Sequence, residues 1–325
     1  MVGVIKKLAV SLFIGASFAA SAMAADTFPE RAAKIVVPYP PGGFNDTLGR
    51  TVANRLTTMW NQSVIVENRP GGNTLIGNSV VAKAPADGYT MLVTPLPFSA
   101  LPGLYGAKLP YDALKDFDPL VLAGSTQNIL AVRGDLPVKT VKELLDYAKA
   151  NPDKLNFAST GSGSSNHLSM ELLMQMTGTK MTHVPYKGSA PAVAALLAGE
   201  IDVFFDNVPN IIQHVKSGRV RGLAVTGAER SQLAPDLPTV AQAGVPGYEV
   251  NVWFGMQVPA GTPKPVIDRI NKDIVHILRQ PDVIKLFRDQ GVEITASTPA
   301  EFDKVLQSEV KKWTRVTKEA NITLE

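Results

Sequence analysis

Two glycine- and hydroxyl-rich segments contain the residues of this sequence that are best suited to binding an anion. The first is PYPPGGFND (38–46) and the second is STGSGSSN (159–166). Each follows an apolar run typical of a strand and precedes an amphipathic run typical of a helix. The start of a helix offers unpaired backbone N–H groups and a partial positive charge, which together bind anions without a cationic side chain. We therefore predict that the two segments hold one ligand between them.

The chemistry in these segments resides in glycines, hydroxyl groups and polar residues suited to capping a helix. Gly42 and Gly43 allow the backbone to approach a ligand closely, and Asn45 or Asp46 is suited to capping the following helix. In the second segment, hydroxyl groups lie beside free N–H groups; they belong to Ser159, Thr160, Ser162, Ser164 and Ser165. The alternatives without a ligand are a tight strand-to-helix turn and an over-capped helix start.

Asp206 is a further candidate because it follows the apolar run IDVFF (201–205). Ligands of open α/β folds bind outside the carboxyl ends of strands, where this run would place the Asp206 carboxylate. The alternative is that the carboxylate caps the next turn. Trp253 and Phe254 are candidates for lining a cleft, although packing in a core is favoured.

Several enzyme motifs are present in outline but lack the residue that performs the chemistry. GNTLIGNS (72–79) resembles a phosphate-binding loop, but Asn78 stands in place of the lysine. GSGSSN (161–166) has two of the three glycines of a dinucleotide-binding loop, and a glycine stands where a G-x-S-x-G hydrolase has its serine. His167 and Glu171 have helical spacing for a shared metal but no third ligand at a recognisable spacing, so a hydrogen bond is favoured. We predict a protein that is not an enzyme and has no metal or cofactor; the alternative is an exported α/β hydrolase or lyase.

The amino-terminal residues have the pattern of a secretory signal peptide. Two lysines precede the apolar stretch LAVSLFIGASFAAS, and Ala22-Met23-Ala24 is an A-x-A site. We predict a signal peptide over residues 1–24, cleaved between Ala24 and Ala25. Its removal leaves 30 basic and 29 acidic residues, a net charge of +1, which disfavours nucleic acid as a partner. No later run approaches ~20 apolar residues, so stable membrane insertion is not expected.

The chain contains no cysteine, which excludes disulfides, thiolate metal sites and thiol catalysis. Together with the signal peptide, this composition is typical of a protein of the bacterial periplasm, where we expect it to be a monomer. About 300 residues after cleavage indicate two lobes. We predict one lobe from residues 25–126 plus 249–325 and the other from residues 127–248, with two crossings that permit hinge closure.

Short apolar runs alternate with amphipathic stretches, which predicts an α/β fold with mostly parallel sheets. The predicted strands are 34–39, 63–68, 89–94, 129–133, 154–159, 182–186, 201–205 and 221–226. The predicted helices are 46–60, 140–150, 165–178, 189–199, roughly 264–279 and roughly 299–320. Ser189 is suited to begin the fourth of these helices as its N-cap and Gly199 to end it.

Seven segments spread over the chain after residue 24 match one known family. They are VPYPPGG with a following Asp and Arg (37–50), VENRPGGNTLIG (66–77), ADGYTML (86–92), HVPYKGSAPAVAALLAGEIDVFFDN (183–207), GLAVTGAER (222–230), DLPTVAQAGVPGYEV (236–250) and WFGMQVPAGTP (253–263). They resemble the Bug family, the periplasmic solute receptors of tripartite tricarboxylate transporters. The resemblance implies a two-lobe periplasmic binding protein of type II, whose cleft closes like a Venus flytrap. It also implies a small organic acid as ligand and the membrane subunits of a transporter as partners.

The resemblance also implies which loops hold the acid. One carboxylate would bind backbone N–H groups and ordered waters at the loop matching residues 38–46, helped by the loop near residues 72–74. The other end of the ligand would meet the loop matching residues 159–166 and the strand end near Asp206. The candidate ligand-binding residues are therefore Tyr39, Gly42, Gly43, Phe44, Asn45, Asp46, Asn73, Thr74, Ser159, Thr160, Ser162, Gly163, Ser164, Asn166 and Asp206.

Phe44-Asn45 departs from the family pattern, which often has a small or hydroxyl residue, or proline, after the double glycine. Our hypothesis is that Phe44 adds an aromatic wall and favours an aromatic or longer-chain acid. The function predicted is capture of a mono- or dicarboxylate and its delivery to a tripartite tricarboxylate-type transporter. The alternative is a sensory receptor that presents its closed form to a signalling partner.

Overall fold

The computed structural model describes residues 28–322, so the predicted signal peptide and its cleavage site lie outside the described residues. Numbered in chain order, the strands are β1 (Ala33–Val37), β2 (Val64–Asn68), β3 (Thr90–Pro95), β4 (Phe117–Thr126), β5 (Asn128–Arg133), β6 (Asn156–Ser159), β7 (Thr182–Pro185), β8 (Val203–Asn207), β9 (Val220–Val225), β10 (Val252–Pro259) and β11 (Glu293–Ile294). The helices are α1 (Phe44–Trp60), α2 (Leu75–Ala82), α3 (Leu101–Tyr105), α4 (Val141–Ala150), α5 (Ser165–Thr177), α6 (Ser189–Ala198), α7 (Val208–Lys216), α8 (Lys264–Leu278), α9 (Pro281–Asp289) and α10 (Pro299–Glu319). Every predicted strand and helix is present.

The strands form two sheets. The first sheet has the order β11–β4–β10–β3–β1–β2, and the second has the order β7–β6–β8–β5–β9. β1 pairs in parallel with β2 and β3, and β6 pairs in parallel with β7 and β8. All other pairs are antiparallel. The prediction of mostly parallel sheets is therefore corrected to two mixed sheets, because the strands at the crossings between sheets run against their neighbours.

We call the first sheet with α1–α3 and α8–α10 the first lobe, and the second sheet with α4–α7 the second lobe. The chain passes from β4 through Gln127 to β5, and returns from β9 to β10. The two crossings are bonded to each other, since Asn128 N–H donates to Thr226 Oγ1 (2.9 Å) and Val250 N–H donates to Thr226 O (2.8 Å). Two crossings of this kind permit one lobe to rotate against the other.

Helix α1 shows how packing places the first candidate loop. Leu48, Val52 and Leu56 recur at helical spacing and are fully buried against the first sheet. Gly49 allows the helix to lie close, because a Cβ there would come 2.7 Å from Val37 Cγ2. The start of α1 is thereby held beside the end of β1.

Two predicted helix caps are wrong by a few residues. Gly43, not Asn45 or Asp46, is the N-cap of α1, and Gly188, not Ser189, is the N-cap of α6. Gly188 has φ 113°, a conformation that side chains disfavour, so the chain turns there and Ser189 becomes the first helical residue.

The carboxy-terminal helix α10 joins the two lobes. It packs against α3 and β4 of the first lobe and against α5 of the second. Gln175 Nε2 of α5 donates to Val316 O of α10 (2.6 Å). Within residues 28–322, no helix combines the length and the apolar character that crossing a bilayer requires.

Candidate functional site

A cavity of about 510 Å³ lies between the lobes, beside the carboxyl ends of two parallel strand pairs. β1 and β2 end there in the first lobe, and β6 and β7 end there in the second. The first wall consists of Pro38, Tyr39, Pro40, Pro70, Gly71, Gly72, Asn73, Thr74 and Tyr105, and the second wall of Thr160, Gly161, Ser162, Ser164, Pro185, Tyr186 and Lys187. This edge is where α/β sheets bind ligands, because the loops and helix starts that follow the strands converge on it.

The turn Gly71–Thr74 dominates the first wall and has an unusual backbone. Its φ angles are all positive, at 125°, 56°, 48° and 79° in chain order. Positive φ is a marked outlier for a β-branched residue such as Thr74, so the surroundings must hold this turn. The carbonyl groups of Gly71 and Gly72 accept hydrogen bonds from the first turn of α2. Within residues 28–322, the N–H groups of Asn73 and Thr74 have no protein acceptor and are available to an anion.

Asn78 holds this turn from beneath. Its Nδ2 donates to Thr74 Oγ1 (2.9 Å) and to Tyr111 Oη (2.9 Å), and the Asn78 side chain is fully buried. At the rim, Tyr105 Oη donates to Gly72 O (3.2 Å). The residue that occupies the place of a phosphate-binding lysine is therefore a buried anchor of the strained turn.

Asp46 is buried and bonded within its own loop. Its Oδ2 accepts from Gly42 N–H (3.1 Å) and Arg50 Nε (2.9 Å), and its Oδ1 accepts from Asn68 Nδ2 (2.9 Å). Burial opposes ionisation, but these hydrogen bonds and the Arg50 charge outweigh it and lower the pKa of Asp46. Asn68 Nδ2 also donates to Tyr39 O (3.1 Å). The carboxylate thus shapes the first wall and does not face an anionic ligand.

Phe44 packs into the first lobe. Its ring centroid lies 4.5 Å from that of Phe254 and 4.9 Å from that of Phe287. Phe254 and Trp253 are themselves buried, as the core alternative for this pair predicts. Because three aromatic rings from distant parts of the chain bury one another here, Phe44 is not part of the cavity wall. This placement corrects the hypothesis that Phe44 forms an aromatic wall of the site.

The second wall is the start of α5 and the loop before it. Ser164 is the N-cap, and its Oγ accepts from His167 N–H (3.4 Å). Thr160 Oγ1 donates to Asn166 Oδ1 (2.6 Å). Within residues 28–322, the N–H groups of Thr160 and Ser162 have no protein acceptor, and the Ser162 hydroxyl has no protein partner. This wall therefore offers both backbone and side-chain donors.

Asn166 and Asp206 support the second wall and do not line the cavity. Asn166 Nδ2 donates to Phe205 O (2.7 Å) and approaches Asp206 Oδ1 (3.5 Å). Asp206 also accepts from the next N–H group (2.8 Å), from Asn210 Nδ2 (3.2 Å) and from the Ser189 hydroxyl. Desolvation raises the pKa of Asp206 to about 6 in spite of these donors. The carboxylate joins the end of β8 to the starts of α5, α6 and α7, which agrees with the capping alternative.

Ser159 and His183 form a hydroxyl–imidazole pair behind the second wall. Ser159 Oγ lies 2.6 Å from His183 Nε2 and accepts from Gly161 N–H (3.1 Å). Burial, together with neighbouring His167, lowers the pKa of His183 to about 3. Ser159 is fully buried and outside the cavity, and an imidazole of such low basicity is a poor general base. The pair therefore stabilises the loop.

His167 belongs to the same support. Its ring stacks on His183 with centroids 3.9 Å apart, its Nδ1 accepts from Gly163 N–H (3.0 Å), and its Nε2 lies 3.2 Å from Glu171 Oε1. The hydrogen-bond alternative for His167 and Glu171 is the one observed. In the part of the chain that the structure describes, no three His, Asp or Glu side chains are grouped to hold a metal ion.

The two walls meet at Gly163. A Cβ on this residue would come 2.5 Å from Asn73 Nδ2 and 2.8 Å from Leu104 Cδ1, both in the first lobe. Asn73 Nδ2 is buried and has no partner among the described residues. The lobes are therefore in contact at one end of the cavity, and only a glycine permits this approach.

Six of the predicted site residues line the cavity, and the other nine do not. Those that line it are Tyr39, Asn73, Thr74, Thr160, Ser162 and Ser164. Those outside the lining are Gly42, Gly43, Phe44, Asn45, Asp46, Ser159, Gly163, Asn166 and Asp206. The residues that sequence reasoning missed include Tyr105, Tyr186 and Lys187. Tyr186 ends the predicted strand 182–186 and Lys187 directly follows it, so the rule applied to Asp206 would have found both.

A larger cavity of about 640 Å³ lies beside the two crossings and is a weaker candidate. It is lined by parts of both lobes, including Gln127, Leu233, Arg279, Arg288 and Glu293. Its acidic and basic side chains are mixed, and it lies away from the carboxyl ends of the parallel strands. The cavity at the two helix starts has the convergent donors that an anion site requires.

Comparisons with known proteins agree on one family. A family model described as "Tripartite tricarboxylate transporter family receptor" matches residues 48–322. The protein BugT of Bordetella pertussis is 33% identical over 320 residues, which cover 97% of each chain. A structure of an R. palustris protein with adipate is 36% identical, with a TM-score of 0.79, and covers 92% of this chain and 100% of that chain. MatC from Rhodopseudomonas palustris, solved with bound malate, is 31% identical, with a TM-score of 0.77, and covers 89% of this chain and 99% of that one. The fold is that of two-lobe periplasmic binding proteins.

Proposed function

The chain belongs to the tripartite tricarboxylate transporter receptor family, and from that premise we propose that it captures a small organic acid in the periplasm and delivers it to a transporter. The related structures with adipate and malate support a carboxylate as the ligand class. The acid would bind in the cavity between the first and second walls.

The observation that carries this proposal is the set of unpaired donors on both walls. The N–H groups of Asn73 and Thr74 on the first wall, and those of Thr160 and Ser162 on the second, have no acceptor within residues 28–322 and would bind the acid from opposite sides. Among the described lining residues there is no Asp or Glu. A hydrogen bond to a charged group contributes about 1.5–3 kcal/mol, so a few of them support micromolar binding after the costs of ordering.

We propose that the lobes close around the acid by rotation at the paired crossings. The proposed lobes are residues 25–126 plus 249–325 and residues 127–248, with Asn128, Thr226 and Val250 at the hinge. The bonds between the crossings and the approach of Gly163 to Asn73 support this motion. Closure would bring the two sets of N–H groups onto the same ligand.

Export and delivery are part of the proposal. A signal peptide cleaved between Ala24 and Ala25 would release a monomer into the periplasm, where its closed form would be recognised by membrane subunits. Loss of uptake of the acid in cells that lack this chain, with the membrane subunits still present, would support delivery. Unchanged uptake would count against it.

We also propose that the protein binds its ligand without converting it. The one hydroxyl–imidazole pair near the cavity among residues 28–322, Ser159 with His183, is buried behind the wall. Mass spectrometry of an acid recovered after long incubation with the protein should find it unchanged. Recovery of a product would revive the hydrolase or lyase alternative.

The direct test is a thermal-shift screen over mono- and dicarboxylates, including adipate and malate, followed by calorimetry. An acid present at 100 times its Kd should raise the free energy of unfolding by about 2.7 kcal/mol. Small-angle scattering should show a smaller radius of gyration with the acid bound.

Two tryptophan variants locate the binding. Ser162→Trp would fill the cavity and should abolish binding. Ser217→Trp, at an exposed serine after α7 in the same lobe, should bind as the wild type does. Normal binding by the Ser162 variant, or no binding of any acid by the wild type, would overturn the proposed site or function.

A further inference from the structure

The cavity is neutral except for one lysine. Of the described residues that line it, only Lys187 has a charged side chain. Both sets of N–H donors lie on other loops, so the lysine is an addition to a site that already provides for one carboxylate. A cation beside the ligand favours a second negative charge on that ligand, because opposite charges attract each other.

The position of Lys187 suits this role. It lies just after β7, in a loop that ends at Gly188, where φ is 113°. The side chain is exposed, and no Asp or Glu within residues 28–322 is close enough to form an ion pair with it. Its ammonium group is therefore available to a ligand, and the flexible stem can follow the end of that ligand.

We propose that Lys187 binds the second carboxylate of the ligand and makes this receptor selective for α,ω-dicarboxylates over monocarboxylates of equal chain length. This inference rests on the proposed function and names the ligand class within it. One carboxylate occupies the N–H donors of the two walls, and the other pairs with Lys187. Because lysine is a point charge on a four-carbon stem, it accommodates diacids of different lengths better than the planar fork of arginine would.

The test compares each diacid with the monoacid of the same length. The probes are succinate with butyrate, adipate with hexanoate, and suberate with octanoate, measured by calorimetry at low salt. Wild-type protein should bind at least one diacid about tenfold or more tightly than its monoacid. In Lys187→Met that ratio should fall about tenfold, while the affinity for the monoacid changes less than twofold. In the wild type, added salt should weaken diacid binding more than monoacid binding.

Two further variants separate charge from loop damage. Lys187→Arg keeps the charge and should retain most of the preference for the diacid. Lys180→Met removes another exposed lysine near β7, outside the cavity, and should leave both affinities unchanged. Equal thermal stability of all three variants would show that the loop is folded.

The outcomes distinguish this inference from the proposed function. If wild-type protein binds mono- and diacids equally well, or if Lys187→Met keeps the full preference, the inference fails and the receptor function stands. If wild-type protein binds neither these probes nor any other acid of the thermal-shift screen, the proposed function fails as well.

Discussion

The first wall of the cavity holds its N–H donors with a strained backbone, whereas the second wall holds its donors with side-chain hydrogen bonds. In the first, four successive residues have positive φ and are fixed by Asn78 and Tyr105. In the second, a serine N-cap and a buried network around Asp206 fix the loop. Both walls stand at the ends of parallel strands and both offer free backbone N–H groups to an anion, but different interactions hold those groups in place. The geometry of the first wall depends on backbone conformation, and that of the second wall depends on hydrogen bonds between side chains. The stability of the two walls should therefore respond differently to pH and to substitution.

The largest expected difference is the pH dependence of the two buried carboxyl groups. Burial raises the pKa of Asp206 from 3.8 to about 6, so the folded protein binds this proton more tightly than the unfolded chain does. Its contribution to stability is present below pH 4 and is lost as pH rises through 6, a change of about 3 kcal/mol. The pH dependence of the Asp46 contribution has the opposite sign. Because the pKa of Asp46 is lowered in the folded protein, its contribution to the free energy of unfolding is lost as pH falls.

Asp206→Asn tests this sign. The free energy of unfolding of the wild type, minus that of the variant, should fall by about 2.5 kcal/mol between pH 4 and pH 7. Asp236→Asn, at an exposed aspartate of the same lobe, is the control and should follow the wild type at every pH. Parallel pH profiles for the wild type and the Asp206 variant would show that the second wall does not rest on a buried carboxyl.

The next effect concerns the aromatic anchor of the first lobe. Phe44→Ala should lower the free energy of unfolding by about 2–3 kcal/mol, because its ring packs on Phe254 and Phe287. The affinity for the bound acid should not change. Chemical denaturation and calorimetry measure the two quantities separately.

Phe44→Leu is the matched variant for this prediction. It keeps an apolar side chain in the cluster and should lower the free energy of unfolding by less than about 1.5 kcal/mol. A selective loss of affinity for aromatic acids in both variants, with stability unchanged, would restore Phe44 to the site and contradict its role as an anchor.

Phe44 shows where sequence reasoning reaches its limit. A glycine-rich turn before a helix predicts the place of the site, because strand ends and helix starts follow from local patterns. Whether the first helical side chain faces a ligand or a core depends on its partners, and those of Phe44 lie more than 200 residues away in the chain. Asp206 was likewise placed at the correct strand end, but its carboxylate points into a network that no spacing reveals.

For the fold, as for the site, the sequence predicts the positions of elements better than their partners and directions. β-branched runs predicted eight of the strands but not β4, β10 or β11, and Gly199 ends α6 as predicted. Strand direction was not predictable at β5, β9 and β10, because an apolar run has the same pattern in either direction and the crossings determine which way it runs. The second wall is easier to predict from sequence than the first. A serine that caps a helix is recognisable in the sequence, whereas the positive φ angles of Asn73 and Thr74 are not.

The smallest predicted effect tests the contact between the two walls at Gly163. Its φ is 77°, and a Cβ there would also clash with Asn73 Nδ2 and Leu104 Cδ1 of the opposite wall. Gly178, the C-cap of α5, has φ 65° and nothing within reach of a Cβ, so it is the matched control. Both alanine variants should lose about 1–2 kcal/mol of stability from the backbone conformation.

Only Gly163→Ala should also lose affinity, about tenfold to a hundredfold, because its clash opposes the closed arrangement of the lobes. Adding Asn73→Gly should recover part of that loss, seen as a coupling energy in a double-mutant cycle. Equal affinity in the Gly163 and Gly178 variants would show that the two walls bind independently and that closure onto Asn73 is not required.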